Sequence, residues 1–190
     1  MNLKFEDITF IIVTYQSENV LHECLDSLPN KCKKIIIENS NHKNLEKDLK
    51  LKYDNIEVIM SENIGMGASN NIGLKLCKTN FAYILNPDTK LSQNTLPILF
   101  KELEKITDFT LASPLNSDLG IPNYKILNEK KNINGNIISV DRIDGFSMLI
   151  NLKKFLNKKF FDENIFLYLE NDDLCLRIKN NNEKIYIIKN

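Results

Sequence analysis

Eight residues near the start of the chain, Ile8 to Tyr15, form an unbroken apolar and β-branched run. That is the pattern of a strand buried on both faces of a parallel sheet, which requires helices above and below it. The following residues supply them. Ser17 can cap a helix carrying Val20, Leu21, Cys24, Leu25 and Leu28 at helical spacing, and Pro29 marks its end. Lys34 to Glu38 predicts a second strand, Asn44 to Leu51 a charged helix, and Ile56 to Met60 a third strand. Asn63 to Gly67 turns into a helix running through Leu76, and Phe81 to Leu85 is a fourth strand closed by Asn86, Pro87 and Asp88. A helix over 93–105 and a strand over 109–113 follow. Such alternation implies βαβ units and an α/β fold with a mostly parallel sheet. From Pro114 to Gly135 the pattern loosens into an irregular or hairpin-rich insertion, after which strands return at Ile137 to Val140, Met148 to Ile150 and Lys184 to Ile188.

The 190 residues fit one domain. Lys plus Arg and Asp plus Glu each number 25, so bulk charge gives no reason to expect a nucleic acid partner. The Ile8 to Val13 run follows Glu6 and Asp7 and precedes no small-residue cleavage site, so it reads as strand rather than signal peptide. Cys24, Cys32, Cys77 and Cys175 lack metal-ligand spacing and read as reduced thiols of a cytoplasmic protein.

In an open α/β sheet, ligands bind beyond the carboxyl ends of the strands. The residues there are polar: Thr14 and Tyr15 after the first strand, Glu38, Asn39 and Ser40 after the second, Asn63 and Gly65 after the third, Asn86 and Asp88 after the fourth. Each also suits a turn or a cap. Asp88, held behind Pro87, is placed to bind a divalent cation bridging a diphosphate, since Mg2+ uses one or two protein carboxylates. Gly65, Gly67 and Asn70 begin like a dinucleotide fingerprint, which sustains an NAD-binding alternative, although Asn70 stands where the third glycine belongs.

Further on, Phe166 to Leu169 runs straight into Glu170, Asn171, Asp172 and Asp173. Carboxylates crowded against apolar neighbours are candidates for acid and base work. The plainer alternative is a helix start, with Asn171 as N-cap and Asp173 paired to Arg177 at i, i+4.

Taken in order, these segments resemble glycosyltransferase family 2, of GT-A fold, and especially its rhamnosyltransferase-like branch. Ile11 to Tyr15 is similar to the family's opening strand, and Ile36 to Ser40 to its second, with Glu38 in place of the usual Asp. Asn63 to Gly65, continuing to Asn71 and Gly73, matches the donor-site loop and helix. Leu85 to Asp88 resembles the branch's metal motif, Asp144 to Met148 the acceptor-side segment with Gly145 and Phe146, and Phe161 to Glu163 the lead into the acidic stretch.

The resemblance implies a single GT-A domain over 1–190, with a nucleotide-sugar-binding half at 1–113, an acceptor-side half at 114–190 and a smaller mixed acceptor-side sheet. It implies an inverting transfer of sugar from a UDP- or dTDP-sugar to a glycan or lipid-linked acceptor in cell-surface polysaccharide biosynthesis. Mg2+ or Mn2+ is expected on Asp88. Thr14, Tyr15, Glu38, Asn63, Gly65, Asn71, Asn86, Gly145 and Phe146 are the expected substrate-binding residues, with Glu38 recognising the base. The family's general base usually follows the Glu, and Asn171 occupies that place. Asp172 is the expected base as the nearest unpaired carboxylate, then Glu170, then Asp173; loss of the base, leaving a non-catalytic nucleotide-sugar-binding remnant, is the competing reading. Relatives of the branch continue past residue 190, so the acceptor half is expected to be incomplete. Exposed apolar surface should result, covered by self-association or by peripheral contact at the inner face of the plasma membrane.

Overall fold

The computed structural model describes residues 3–106, 108–117, 120–127, 131–157 and 159–189. The strands are β1 (Ile8–Thr14), β2 (Lys33–Glu38), β3 (Ile56–Met60), β4 (Phe81–Leu85), β5 (Leu111–Pro114), β6 (Tyr124–Lys125), β7 (Lys131–Asn134), β8 (Ile137–Ser139), β9 (Arg142–Ile143), β10 (Ser147–Asn151) and β11 (Ile185–Ile188). The helices are α1 (Glu18–Asp26), α2 (Leu45–Lys52), α3 (Met66–Leu76), α4 (Thr95–Leu103) and α5 (Glu170–Asn180).

Nine strands form one sheet in the order β3-β2-β1-β4-β10-β5-β11-β8-β7. The first four run parallel, as the βαβ alternation requires. Beyond them the sheet becomes mixed: β10 is antiparallel to both β4 and β5, β11 is parallel to β5, and β8 is antiparallel to β11. Strands β7, β8, β10 and β11 therefore extend the main sheet, and the separate small sheet is the antiparallel ribbon β6–β9. The loose region from Pro114 to Gly135 contains this ribbon's first strand and β7, the first strand of the β7–β8 hairpin. Its residues 118–119 and 128–130 lie outside the described ones.

All seven residues of β1 are buried, which agrees with a strand covered on both faces. Ile8, Phe10 and Ile12 face a core shared with Leu21 and Leu25 of α1, Leu49 of α2 and Leu99 of α4. Ile11 faces the other core, with Leu74 of α3 and Leu174 and Ile178 of α5. Each fully buried leucine or isoleucine contributes about 1.5–3 kcal/mol, so the two layers, rather than helix propensity, hold these short helices. The closing strand β11 is not an exposed edge: it lies between β5 and β8 with all four residues buried. Four consecutive apolar residues, Phe166, Leu167, Tyr168 and Leu169, are exposed elsewhere in the fold.

Chain order reverses at β1, whose neighbours are β2 on one side and β4 on the other. The crevice beyond their carboxyl ends is where an open sheet of this kind binds ligands.

Candidate functional site

The approach to α5 is the most constrained stretch of the site. Tyr168 (φ 63°) and Leu169 (φ 66°) are consecutive non-glycine residues in the left-handed region. Each such residue costs about 1–2 kcal/mol, so tertiary contacts must impose the turn. Two contacts come from α3. The Met66 amide donates to the Phe166 carbonyl at 2.9 Å, and at Gly65 (φ 98°) a Cβ would stand 2.3 Å from that same oxygen. Glycine is required there because the backbone of residue 166 takes the space of a side chain.

With Leu169 in the cap position, α5 begins at Glu170, and the Asp173 amide closes its first turn on the Leu169 carbonyl at 2.9 Å. Asn171 is thus inside the first turn rather than its N-cap. Its Nδ2 donates to the Ile143 carbonyl at 2.9 Å and to Asp172 Oδ1 at 3.1 Å.

A cavity of about 280 Å³ opens between this turn, α3, the end of β4 and the β9–β10 turn. Asn86, Gly145, Phe146 and Glu170 line it, as does Asp144. Glu170 lies against α3 because Gly67 has no side chain, a Cβ there being 3.3 Å from that of Glu170. Glu170 Oε2 is buried and has no hydrogen-bond partner among the described residues.

The other two acids are committed elsewhere. Asp172, expected to be unpaired, is ion-paired to Arg142 and also accepts from Asn171. Sequence could not show this, because Arg142 arrives from β9, 30 positions away. Asp173 accepts from Arg177 Nε at 2.8 Å, as the i, i+4 spacing predicts.

Several expected substrate-binding residues prove to be fasteners. Glu38 is 1% exposed. One of its oxygens accepts from Thr14 Oγ1 at 2.5 Å, and the other accepts from the Ser40 amide at 2.5 Å and from the Ser40 hydroxyl. Glu38 and Thr14 therefore lock the ends of β2 and β1 together. Asn71 is buried, donating to the Phe161 carbonyl (2.9 Å) and Glu163 Oε1 (3.1 Å) and accepting from the Phe161 amide (3.0 Å). It ties α3 to the 161–163 loop. Asn63 Oδ1 accepts from the Gly65 amide at 3.4 Å. Its side chain and that of Tyr15 are otherwise exposed.

Asp88 lies on the far side of Phe146, in a second cavity of about 620 Å³ that Phe146 also lines. The turn is closed by the Thr89 amide on the Asn86 carbonyl at 3.1 Å. Beneath it, burial and then the Asp88 charge push the Cys24 thiol up to about 12.

Comparison with known proteins follows this geometry. Residues 9–172 match the family described as Glycosyl transferase family 2. The chain belongs to that family. It is 24% identical to the Low-salt glycan biosynthesis hexosyltransferase Agl10 of Haloferax volcanii, over 95% of this chain and 64% of that one. It is 27% identical to Rhamnosyltransferase WbbL of Escherichia coli, over 90% of this chain and 76% of that one. The chain thus spans under two thirds of the hexosyltransferase. Among solved structures, GalNAc-T7 with UDP, GalNAc and Mn2+ superposes with a TM-score of 0.78 at 15% identity, over 95% of this chain and 42% of that one. The fold is GT-A, an α/β glycosyltransferase fold.

Membership in glycosyl transferase family 2 sets aside the NAD-binding alternative, and the geometry supplies a physical reason. At the start of α3 the Met66 amide is taken by the Phe166 carbonyl, so this first amide of the helix is not open to a pyrophosphate as the dinucleotide fingerprint requires. For a divalent metal, the residues present fit a particular kind of site. No group of three or more acidic, His or Cys side chains gathers among the described residues. Asp88 is exposed and makes no ion pair or hydrogen bond among them. One free carboxylate suits Mg2+ or Mn2+ that takes its remaining ligands from diphosphate and water.

Proposed function

We propose that this protein transfers a glycosyl group from a nucleotide-diphosphate sugar to a hydroxyl of a glycan or lipid-linked acceptor, with inversion at the anomeric carbon. The observation that carries the reading is Glu170, half-buried at the rim of a cavity at the carboxyl ends of the strands, whose Oε2 is buried with no hydrogen-bond partner among the described residues. In this mechanism Glu170 takes the proton of the acceptor hydroxyl as its oxygen attacks the anomeric carbon. The bond from that carbon to the diphosphate oxygen breaks, and the diphosphate leaves with the electron pair. Asp172 and Asp173 are unsuited to the step because Arg142 and Arg177 hold them. Asp88 would hold Mg2+ or Mn2+ with the donor phosphates, and the cation supplies positive charge opposite the leaving group. Asn86, Gly145 and Phe146 shape the space in which the two substrates meet.

The setting we infer is assembly of a cell-surface glycan from the cytoplasmic side. A relative with a glycan-biosynthesis role and another that is a rhamnosyltransferase support it, and the four free cysteines suit a reducing compartment. UDP- or dTDP-sugars are the donors to test first, followed by GDP-sugars.

The deciding experiment is Glu170→Gln in a glycosyltransferase assay. Turnover should fall by roughly 10²-fold or more with nucleotide-sugar binding retained. Full turnover would remove Glu170 from the mechanism. A second reading, binding without catalysis, draws on the Asn171 amide at the family's usual base position. If the wild type turns over nothing and Asn171→Asp does, the natural chain has lost its base.

A further inference from the structure

Asn70, on α3, was not among the residues that sequence singled out for ligand binding. Its side chain lines the smaller cavity and is 3% exposed. Oδ1 is buried with no hydrogen-bond partner among the described residues. A buried amide in that state is costly unless something else completes it. Asn70 lies one turn after Gly67 on the same side of α3, the side against which Glu170 packs. Two residues that line one cavity, Asn70 and Glu170, thus each carry a buried oxygen, Oδ1 and Oε2, with no hydrogen-bond partner among the described residues.

The chemistry of the missing partner follows from this pair. A side-chain amide offers an acceptor and donors side by side. Phosphate oxygens, acceptors only, would leave Asn70 Oδ1 unsatisfied and would be repelled by the Glu170 carboxylate. Two neighbouring hydroxyls satisfy both ends, one donating to Oδ1 and the other accepting from Nδ2. The volume of about 280 Å³ lies just below the range for drug-sized ligands, which suits a single ring better than a nucleoside diphosphate. Met66, Phe146 and Phe161 supply apolar wall for the C–H face of such a ring.

Resting on the transferase reading above, we propose that Asn70 is a specificity-determining residue that binds a pair of neighbouring hydroxyls on the transferred sugar. The donor's sugar is favoured over the acceptor's because Asn70 follows the Asn63–Gly65 loop in the half of the chain built from β1 to β4.

The test is calorimetric titration of the 190-residue chain with Mn2+. UDP-glucose, dTDP-rhamnose and GDP-mannose are compared with UDP, dTDP and GDP, on the wild type, Asn70→Leu and Asn70→Ala. For whichever sugar nucleotide binds the wild type, both variants should bind it about tenfold more weakly, with the parent diphosphate unaffected. Deoxy analogues of that sugar lacking one hydroxyl of the pair should lose a similar factor on the wild type and nothing further on the variants. Leucine removes an unpaired polar group, so Asn70→Leu should melt no lower than wild type, and Asn70→Ala serves if leucine does not fit. Wild-type binding with unchanged variants overturns the role of Asn70 alone. No binding of any sugar nucleotide to the wild type overturns the donor reading, and this assignment with it.

Discussion

Gly65→Ala tests whether the contact between α3 and the 166–169 turn holds the site in shape. Gly65 has φ 98° and ψ 162°, a region that L-residues essentially do not occupy. The strain of forcing alanine into it is about 1–3 kcal/mol. The new Cβ would also stand 2.3 Å from the Phe166 oxygen and 2.8 Å from its Cα, so backbone, not a flexible side-chain tip, has to move. That movement breaks the Met66 amide bond to Phe166, worth about 0.5–1.5 kcal/mol. A total near 2–4 kcal/mol lowers the melting temperature of a chain this size by roughly 5–15 °C. Gly135→Ala separates the two causes, because Gly135 also has positive φ (21°) but nothing within 4 Å of its would-be Cβ. It should cost only about 1 kcal/mol. Thermal unfolding followed by circular dichroism measures both. If Gly65→Ala melts with the wild type, or no lower than Gly135→Ala, the close backbone approach is not what shapes this turn.

Asp88→Asn should abolish Mn2+-dependent binding of UDP or dTDP in calorimetry while leaving the urea midpoint unchanged, since its side chain is exposed and supports no neighbour. Glu38→Ala should behave in the opposite way. It strips Thr14 and Ser40 of their shared acceptor, lowering stability by about 2–3 kcal/mol in urea titration. Preference among UDP, dTDP and GDP should stay as in the wild type, and a changed preference would return Glu38 to base recognition. Lys105 holds the Glu102 carboxyl below its ordinary value. A depressed carboxylate contributes stability above its unfolded pKa that is lost as pH falls through the folded one. Glu102→Gln should therefore flatten the fall in melting temperature on acidification from neutral pH, measured across the ordinary Glu range and below it.

The first four strands and their helices were legible because a strand buried on both faces leaves a continuous apolar run, as Ile8 to Thr14 does, and because turn residues punctuate it. The family likeness was legible too, since it lies in the order of short segments from Ile11 to Asp173. The Asp173–Arg177 pair was readable because helical spacing alone brings residues four apart together. What sequence could not supply was the allocation of partners between distant segments. Asp172 looked free until Arg142 arrived from β9, and nothing in the sequence showed that Glu38 would meet Thr14 or Asn71 the Phe161 backbone. Asn70 carried no signal beyond a failed glycine pattern. Sequence determined that carboxylates and amides would gather at the carboxyl ends of the strands, because local periodicity and turn chemistry act over a few residues. Only tertiary structure decided which of them remain unpaired and can meet a substrate, because hydrogen bonds and ion pairs act over a few ångströms between segments far apart in the chain.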